Sequence, residues 1–336
     1  MKPAAVFTTR RAVICCLSAA GMVAAATFFP SAAVAQSDYP TRPVSLVIPF
    51  PPGGATDVLG RVIGHKMGVE LGQNLIVENR AGAGTIIGAA HVSKARPDGY
   101  TLLVSSGTTF TVNPAIRSNL PYDPVKDFEP IGISGRTGLI LLANGAVPVA
   151  TVKEFVDYVK AAPDKYAYGS YGSGTTAQFA GESILSAAGL KMTHVPYKGS
   201  APAMTDLMGG QIPFSIDTVA AAIQQLKSGK IKAIAVTAAR RSSLLPEVPT
   251  MAESGYPEID IDTWLIIAAP RGLPADVKAK LEKALVATMA DPEVRERLIA
   301  AGFEPSYSNA DEASELIRRE LPIMREVARR ANITAD

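Results

Sequence analysis

Cysteine is almost absent from this chain, and the two that occur, Cys15 and Cys16, stand side by side near its start. The remainder can build neither a disulfide framework nor a thiolate metal site, so its stability has to come from an apolar core. Histidine is nearly as scarce, at His65, His91 and His194. No ligand-spaced cluster of Cys or His exists, so neither a metal nor another cofactor is expected. The G-x-S-x-G signature of a serine hydrolase is missing, and a triad would have to be assembled from distant residues such as His194, Asp206 and Ser215. A basic excess is missing too, with 33 Lys and Arg against 31 Asp and Glu. That balance gives no electrostatic footprint for nucleic acid or acidic lipid.

The chain begins with a basic stretch holding Lys2, Arg10 and Arg11 and no acid, followed by the apolar AVICCLSAAGMVAAATFF and then Ala33-Val34-Ala35. This order is that of a secretory signal peptide, 1–35, cleaved near Ala35 to release a periplasmic product. Both cysteines leave with it, and the loss of three cations takes the basic count from 33 to 30 against 31 acids. Beyond this segment no uncharged apolar run is long enough to span a bilayer.

Cleavage would leave 301 of the 336 residues, a length that suits two domains of ~100–200 residues. Apolar runs (VSLVIPF, LIVEN, YTLLVSS, EPIGIS, LILLAN, YAYGS, THVPY, IPFSID, IKAIAVTA and WLIIAAP) alternate with helical patterns such as DVLGRVIGHKMGVEL and TAQFAGESILSAAG. Alternation of this kind predicts an α/β fold with largely parallel sheets. Toward the C-terminus, PADVKAKLEKALVATMADPEVRERLIAAG and ADEASELIRRELPIMREVARRAN predict amphipathic helices instead.

Two segments repeat one arrangement, in which an apolar strand enters a glycine-bearing turn that opens directly into a helix. In the first, Pro51 and Pro52 stiffen a loop, Gly53 and Gly54 open its backbone, and Thr56 or Asp57 begins the helix. In the second, Ser170, Ser173, Thr175 and Thr176 surround Gly169, Gly172 and Gly174. Unpaired N–H groups at a helix start, with no Cβ in the way, form a cradle for carboxylate or phosphate. Asp57 reads first as a helix cap, since a bare carboxylate would repel an anionic ligand, and secondarily as an acceptor for a bridging water or a ligand ammonium group, and Thr175 reads as a cap or a ligand contact. A third polar loop, SSGTTFTVNP, follows another strand and brings Ser105 and Thr108 toward the same cleft. The stretch LIVENRAGAGTIIG lacks dinucleotide spacing, and YTLLVSS ends without the acid that would hold a ribose.

In order along the chain stand YPTRPVSLVIPFPPGGATD, ENRAGAGTIIGAAHVSKARPDGYTLLV, NPAIRSNLPYDPVKDFEPIG, YGSGTT, HVPYKGSAPAMTDLMGGQI and LLPEVPTMAESGYP. With these landmarks the mature chain resembles, over essentially its whole length, the Bug family, the extracytoplasmic solute-binding receptors of tripartite tricarboxylate transporters. The resemblance implies a two-lobe periplasmic binding protein of type II with its ligand cleft between the lobes, and no catalysis. It implies a small carboxylate as ligand and membrane transporter subunits or a sensor protein as partners. A monomer that binds no nucleic acid is expected.

The family's ligand positions fall on Phe50, Pro52, Gly53, Gly54, Thr56 and Asp57 in the first lobe and on Ser173, Gly174, Thr175 and Thr176 in the second. Asp217 matches a family acid that faces the cleft, and it also reads as a helix cap. The lobes are expected over 36–136, 137–255 and 256–336, the chain crossing near Gly135 to Gly138 and returning within 238–258. Three departures from the family pattern concern the pocket: Gln178 in place of a His, Ile266 in place of a Gly, and the Arg271-Gly272-Leu273-Pro274 loop. Taken alone, the residues also admit a secreted hydrolase of small esters or amides, or a periplasmic ligand-sensing component.

Overall fold

The computed structural model describes Met1 and residues 38–334, so the expected export segment beyond Met1, and the expected cleavage near Ala35, lie outside the described residues. The apolar runs form nine strands: β1 (Val44–Ile48), β2 (Leu75–Asn79), β3 (Thr101–Ser106), β4 (Phe128–Asn144), β5 (Ala167–Ser170), β6 (Thr193–Pro196), β7 (Phe214–Thr218), β8 (Ile231–Val236) and β9 (Asp262–Pro270). EPIGIS and LILLAN, read as separate strands, are both in β4. The glycines between them look like turn signals, but here they keep the chain extended across two register shifts against β9, at Pro130/Gly132 and Ile133/Gly135.

That long strand joins two sheets. Up to Gly138, opposite Asp262, β4 pairs with β9; from Leu139 onward it pairs with β7 and β8. In the first sheet β1 lies parallel between β2 and β3, and in the second β5 lies parallel between β6 and β7. The pairings made by β4 and β9 are antiparallel. The sheets are therefore mixed rather than largely parallel, because β4, which runs straight from one sheet into the other, lies antiparallel to each strand it pairs with.

Among the described residues ten helices cover the sheets: α1 (Ala55–Leu71), α2 (Ile86–Ser93), α3 (Asn113–Ile116), α4 (Val152–Lys160), α5 (Thr176–Ala188), α6 (Ser200–Met208), α7 (Val219–Leu226), α8 (Ala275–Ala290), α9 (Pro292–Ala300) and α10 (Ala310–Arg330). A π-helical turn, Thr108–Val112, precedes α3. The expected helix over 274–302 is two, because Asp291 caps the N–H groups of Glu293 and Val294 and Pro292 starts α9.

Each sheet is buried on both faces, which is why its strands read as continuous apolar runs. In the first, Leu46, Ile48, Leu265 and Ile267 meet Leu59 and Ile63 of α1 and Leu281 of α8. On its other face Val47, Trp264 and Ile266 pack with Phe110 and Ile317. In the second, Leu139, Leu141 and Phe214 meet Phe155 of α4 and Phe179 of α5, while Ile140 and Leu142 meet Leu207 of α6 and Val219 of α7. Helix α10 serves both lobes, with Ile317 in a core of the first and Met324 and Ala328 in a core of the second.

Candidate functional site

The carboxyl ends of β1, β3, β5 and β7 point to one cavity between the lobes, the position where open α/β sheets take ligands. It is lined from the first lobe by Phe50, Pro51, Gly54, Ala55, Thr56, Ser106, Thr263 and Leu265, and from the second by Tyr171, Gly199, Ser200 and Thr218. Its volume is about 30 Å³, room for water rather than an organic acid, given that one water needs ~10–15 Å³ on this measure. Phe50 and Tyr171 meet edge to face across it, ring centroids 6.3 Å apart.

No charged side chain lines the cavity, yet three helices begin on it. Gly54 is the N-cap of α1, with Ala55 and Thr56 in its first turn; Gly199 is the N-cap of α6, with Ser200 its first residue; Thr218 is the N-cap of α7. The first N–H groups of a helix lack intrahelical partners, and its dipole places positive potential there. Three such ends converging on a cation-free cavity favour an anion.

The expected site residues divide between lining and support. Phe50, Gly54 and Thr56 line the cavity, whereas Pro52 and Gly53 form the exposed part of the same loop. Asp57 is turned away from the cavity. Its Oδ2 accepts from the Gly53 N–H at 2.9 Å and Arg61 Nε at 3.0 Å, and its Oδ1 accepts from Asn79 Nδ2 at 2.8 Å. Asn79 Nδ2 also donates to the Phe50 carbonyl at 3.1 Å, which ties the cavity wall to this cluster. Burial opposes ionisation of Asp57, but Arg61, the Gly53 N–H and Asn79 together hold its pKa below the ordinary carboxylate range.

The second glycine turn is closed by the protein itself. The N–H of Gly174 donates to Gln178 Oε1 at 2.7 Å, and that of Thr176 to Thr108 Oγ1 at 3.1 Å. Thr108 and Thr176 hydroxyls lie 2.5 Å apart, and the Tyr171 hydroxyl lies against both and the Ala177 N–H. Thr175 makes no side-chain cap bond; its hydroxyl donates to the Gly172 carbonyl at 2.7 Å. Ser173 is exposed, its carbonyl beside Gly84. Ser105 is buried against Thr109 Oγ1 at 2.5 Å, and its neighbour Ser106 reaches the cavity instead. Gln178 thus takes a helix-start donor that a ligand would otherwise use.

Ile266 points into the core with Trp264, so the added bulk at that position falls behind the cavity wall formed by Thr263 and Leu265. Arg271 braces the 125–129 segment through Glu129 Oε2 at 2.9 Å and the Val125 carbonyl at 2.7 Å. Sequence reasoning passed over Tyr171, Gly199, Ser200 and Thr218. The glycine-helix pattern that flagged the first two turns recurs, more faintly, in KGSAPAM, where Gly199 precedes α6.

The hydrolase triad does not assemble. His194 Nε2 lies 2.7 Å from Ser170 Oγ, Asp206 accepts from the Tyr197 hydroxyl at 2.7 Å, and Ser215 donates to the Gly169 carbonyl at 3.1 Å. Burial pushes the His194 pKa down to about 4, so its imidazole is neutral.

A family model described as the tripartite tricarboxylate transporter family receptor matches residues 59–333. The chain belongs to this family. Among curated relatives it is 34% identical over 292 residues to Protein BugT of Bordetella pertussis, covering 87% of this chain and 90% of the relative. Two solved structures from Rhodopseudomonas palustris share its fold. Rpa4515 with adipate superposes with a TM-score of 0.84 at 32% identity, covering 88% of this chain and 99% of the other. MatC with bound malate gives 0.81 at 32%, covering 86% and 99%. The receptor is thus a two-lobe α/β solute-binding protein and not an enzyme. Among the described residues no helix is long and apolar enough to cross a membrane.

The receptor's single tryptophan provides an optical probe of the cleft. Trp264 stands between the cavity-lining Thr263 and Leu265 on β9, and its indole N–H donates to Glu320 Oε2 at 2.6 Å. Ligand binding is expected to produce a saturable change in tryptophan fluorescence. Trp264→Phe should erase that signal while calorimetry still detects binding; a signal surviving in the variant would contradict the assignment.

Proposed function

We propose that this protein is a periplasmic receptor that captures a small carboxylate between its lobes and presents it, without chemistry, to the membrane subunits of a tripartite transporter. The observation that carries this reading is the convergence of the α1, α6 and α7 N-termini on a cavity with no charged lining. The adipate and malate held by its structural relatives are acids of the kind such a cavity suits. One carboxylate would take the N–H groups of Ala55 and Thr56, with Ser200 and Thr218 hydroxyls opposite, and the Phe50–Tyr171 pair would cover the carbon chain.

A six-carbon diacid does not fit about 30 Å³, so entry requires the lobes to part and capture lets them close again. The lobes are taken as 36–136 with 256–336, and 137–255. The signal segment would be removed near Ala35 and the receptor would act as a monomer with no role in nucleic-acid binding. Small-angle scattering of the ligand-free protein and of the protein saturated with adipate or malate tests closure through the radius of gyration. Calorimetry on the same samples tests the ligand class, and failure of every mono- and dicarboxylate to bind would overturn the reading.

Thr175 separates support from contact. Since its hydroxyl holds the Gly172 carbonyl, Thr175→Ala is expected to lower stability by ~1 kcal/mol, the net worth of one buried hydrogen bond, and to leave affinity nearly unchanged. A tenfold loss of affinity with an unaltered melting temperature would make it a ligand contact instead.

A further inference from the structure

Among the described residues Asp217 is an acid beside the cavity wall whose hydrogen-bond partners, Ser200 and Thr218, are both neutral. It is fully buried at the end of β7, one residue before the N-cap of α7. Its Oδ1 accepts from Ser200 Oγ at 2.8 Å and from the Thr218 N–H at 2.7 Å, and its Oδ2 has no hydrogen-bond partner. Both partners line the cavity. A buried carboxylate oxygen left unpaired is costly, and a neutral acid carbonyl in the same place costs much less.

We propose, on the reading of this cleft as a carboxylate site, that Asp217 is a positioning residue that couples ligand capture to uptake of one proton, acting through Ser200. The physical step is a reversal of one hydrogen bond. While Asp217 is ionised, the Ser200 O–H must donate to Oδ1, so that Ser200 presents only its oxygen lone pairs to the cavity and weakens the hold of the other donors on a ligand carboxylate. A proton taken from solvent onto Oδ1 lets the carboxyl donate to Ser200 Oγ, which frees the Ser200 hydroxyl hydrogen for the ligand. The arriving anion also shares the positive ends of α6 and α7 with Asp217, which favours the neutral acid further.

No other ion competes for this role. Opposite Asp217 on β4 stands Ile140, and the β4 ions Arg136 and Glu129 are engaged by Asp262 and by Arg271 with Lys278. On α6 Asp206 is held by Tyr197, on α5 Glu182 accepts from Tyr168 of β5, and α7, reading VAAAIQQL, carries no charge. Tyr171 is the titratable neighbour, and burial raises its pKa so that it stays neutral. Against the Thr218 N–H and the Ser200 hydroxyl, burial pushes Asp217 up to about 7, within reach of a periplasm-like pH range.

The test is calorimetric titration of the mature receptor with adipate, and with malate, between pH 6 and 8.5, in paired buffers of different ionisation enthalpy. Both acids are fully ionised over most of that range, so their own titration contributes little. Uptake approaching one proton per ligand is expected above pH 7, with Kd flat near pH 6 and rising toward about tenfold per pH unit at the alkaline end, the slope that one linked proton imposes. Asp217→Asn should flatten the profile and abolish proton uptake. Ser200→Ala, which leaves the acid in place, should weaken binding at pH 6 and bring it close to the alkaline wild-type value. Binding without proton uptake by the wild type overturns the inference and leaves the receptor reading standing. A slope that persists unchanged in Ser200→Ala overturns the relay through Ser200. Failure of every mono- and dicarboxylate, adipate and malate included, to bind at pH 6 overturns the carboxylate reading and this inference with it.

Discussion

Gly199→Ala is expected to cost both stability and ligand affinity, while Gly54→Ala on the facing wall is tolerated. Gly199 caps α6 with φ 108° and ψ 172°, a region open in practice only to glycine and costing ~1–3 kcal/mol for other residues. A Cβ there would also stand 3.1 Å from Pro51 Cγ of the opposite lobe. The alanine variant must rotate the start of α6, which removes Ser200 from the cavity and keeps Pro51 from seating. An affinity loss of at least tenfold, ~1.4 kcal/mol, is expected by calorimetry, together with a lowered melting temperature. Gly54 has φ −84°, and its Cβ would meet Ser200 Oγ at 3.9 Å, ordinary contact. Equal losses in the two variants would show that the glycines matter through flexibility alone and not through the backbone geometry at Gly199.

Asp57→Ala should be the most destabilising change in the first lobe's ligand loop, although its side chain faces away from the cavity. The substitution strands the Gly53 N–H and the Asn79 amide and releases Arg61. Hydrogen bonds to a charged group contribute ~1.5–3 kcal/mol each, but Arg61 is half exposed and recovers water, so a total near 2–3 kcal/mol is expected. Because Asn79 also holds the Phe50 carbonyl, affinity should fall by several-fold as the wall loses its register.

The pH dependence identifies the origin of the effect. The Asp57 pKa is depressed below 3.8 in the folded state, so its contribution is complete above that value and is lost as pH falls through the lower folded pKa. Urea denaturation at pH 7 should separate wild type from variant clearly, with the gap narrowing toward pH 3. A gap independent of pH would assign the loss to packing rather than to the carboxylate.

The α/β class, the order of most elements, the two glycine turns and the family were legible in the sequence because they depend on local pattern. Runs such as VSLVIPF are apolar at nearly every residue rather than at alternate ones because both faces of each sheet are covered, and glycine before a helix is visible wherever it occurs. Tertiary structure decided which donors were already spent. Nothing local tells that Thr108 reaches the Thr176 N–H, that Asn79 ties Asp57 to the Phe50 carbonyl, or that the 135–138 glycines continue one strand between two sheets. Nor does the sequence place Ser200 beside Asp217, since the contact joins α6 to β7 only once both pack on the second sheet. A hydrogen-bond donor is available to a ligand only if no other part of the chain reaches it first, and that competition is settled by packing between segments far apart in sequence.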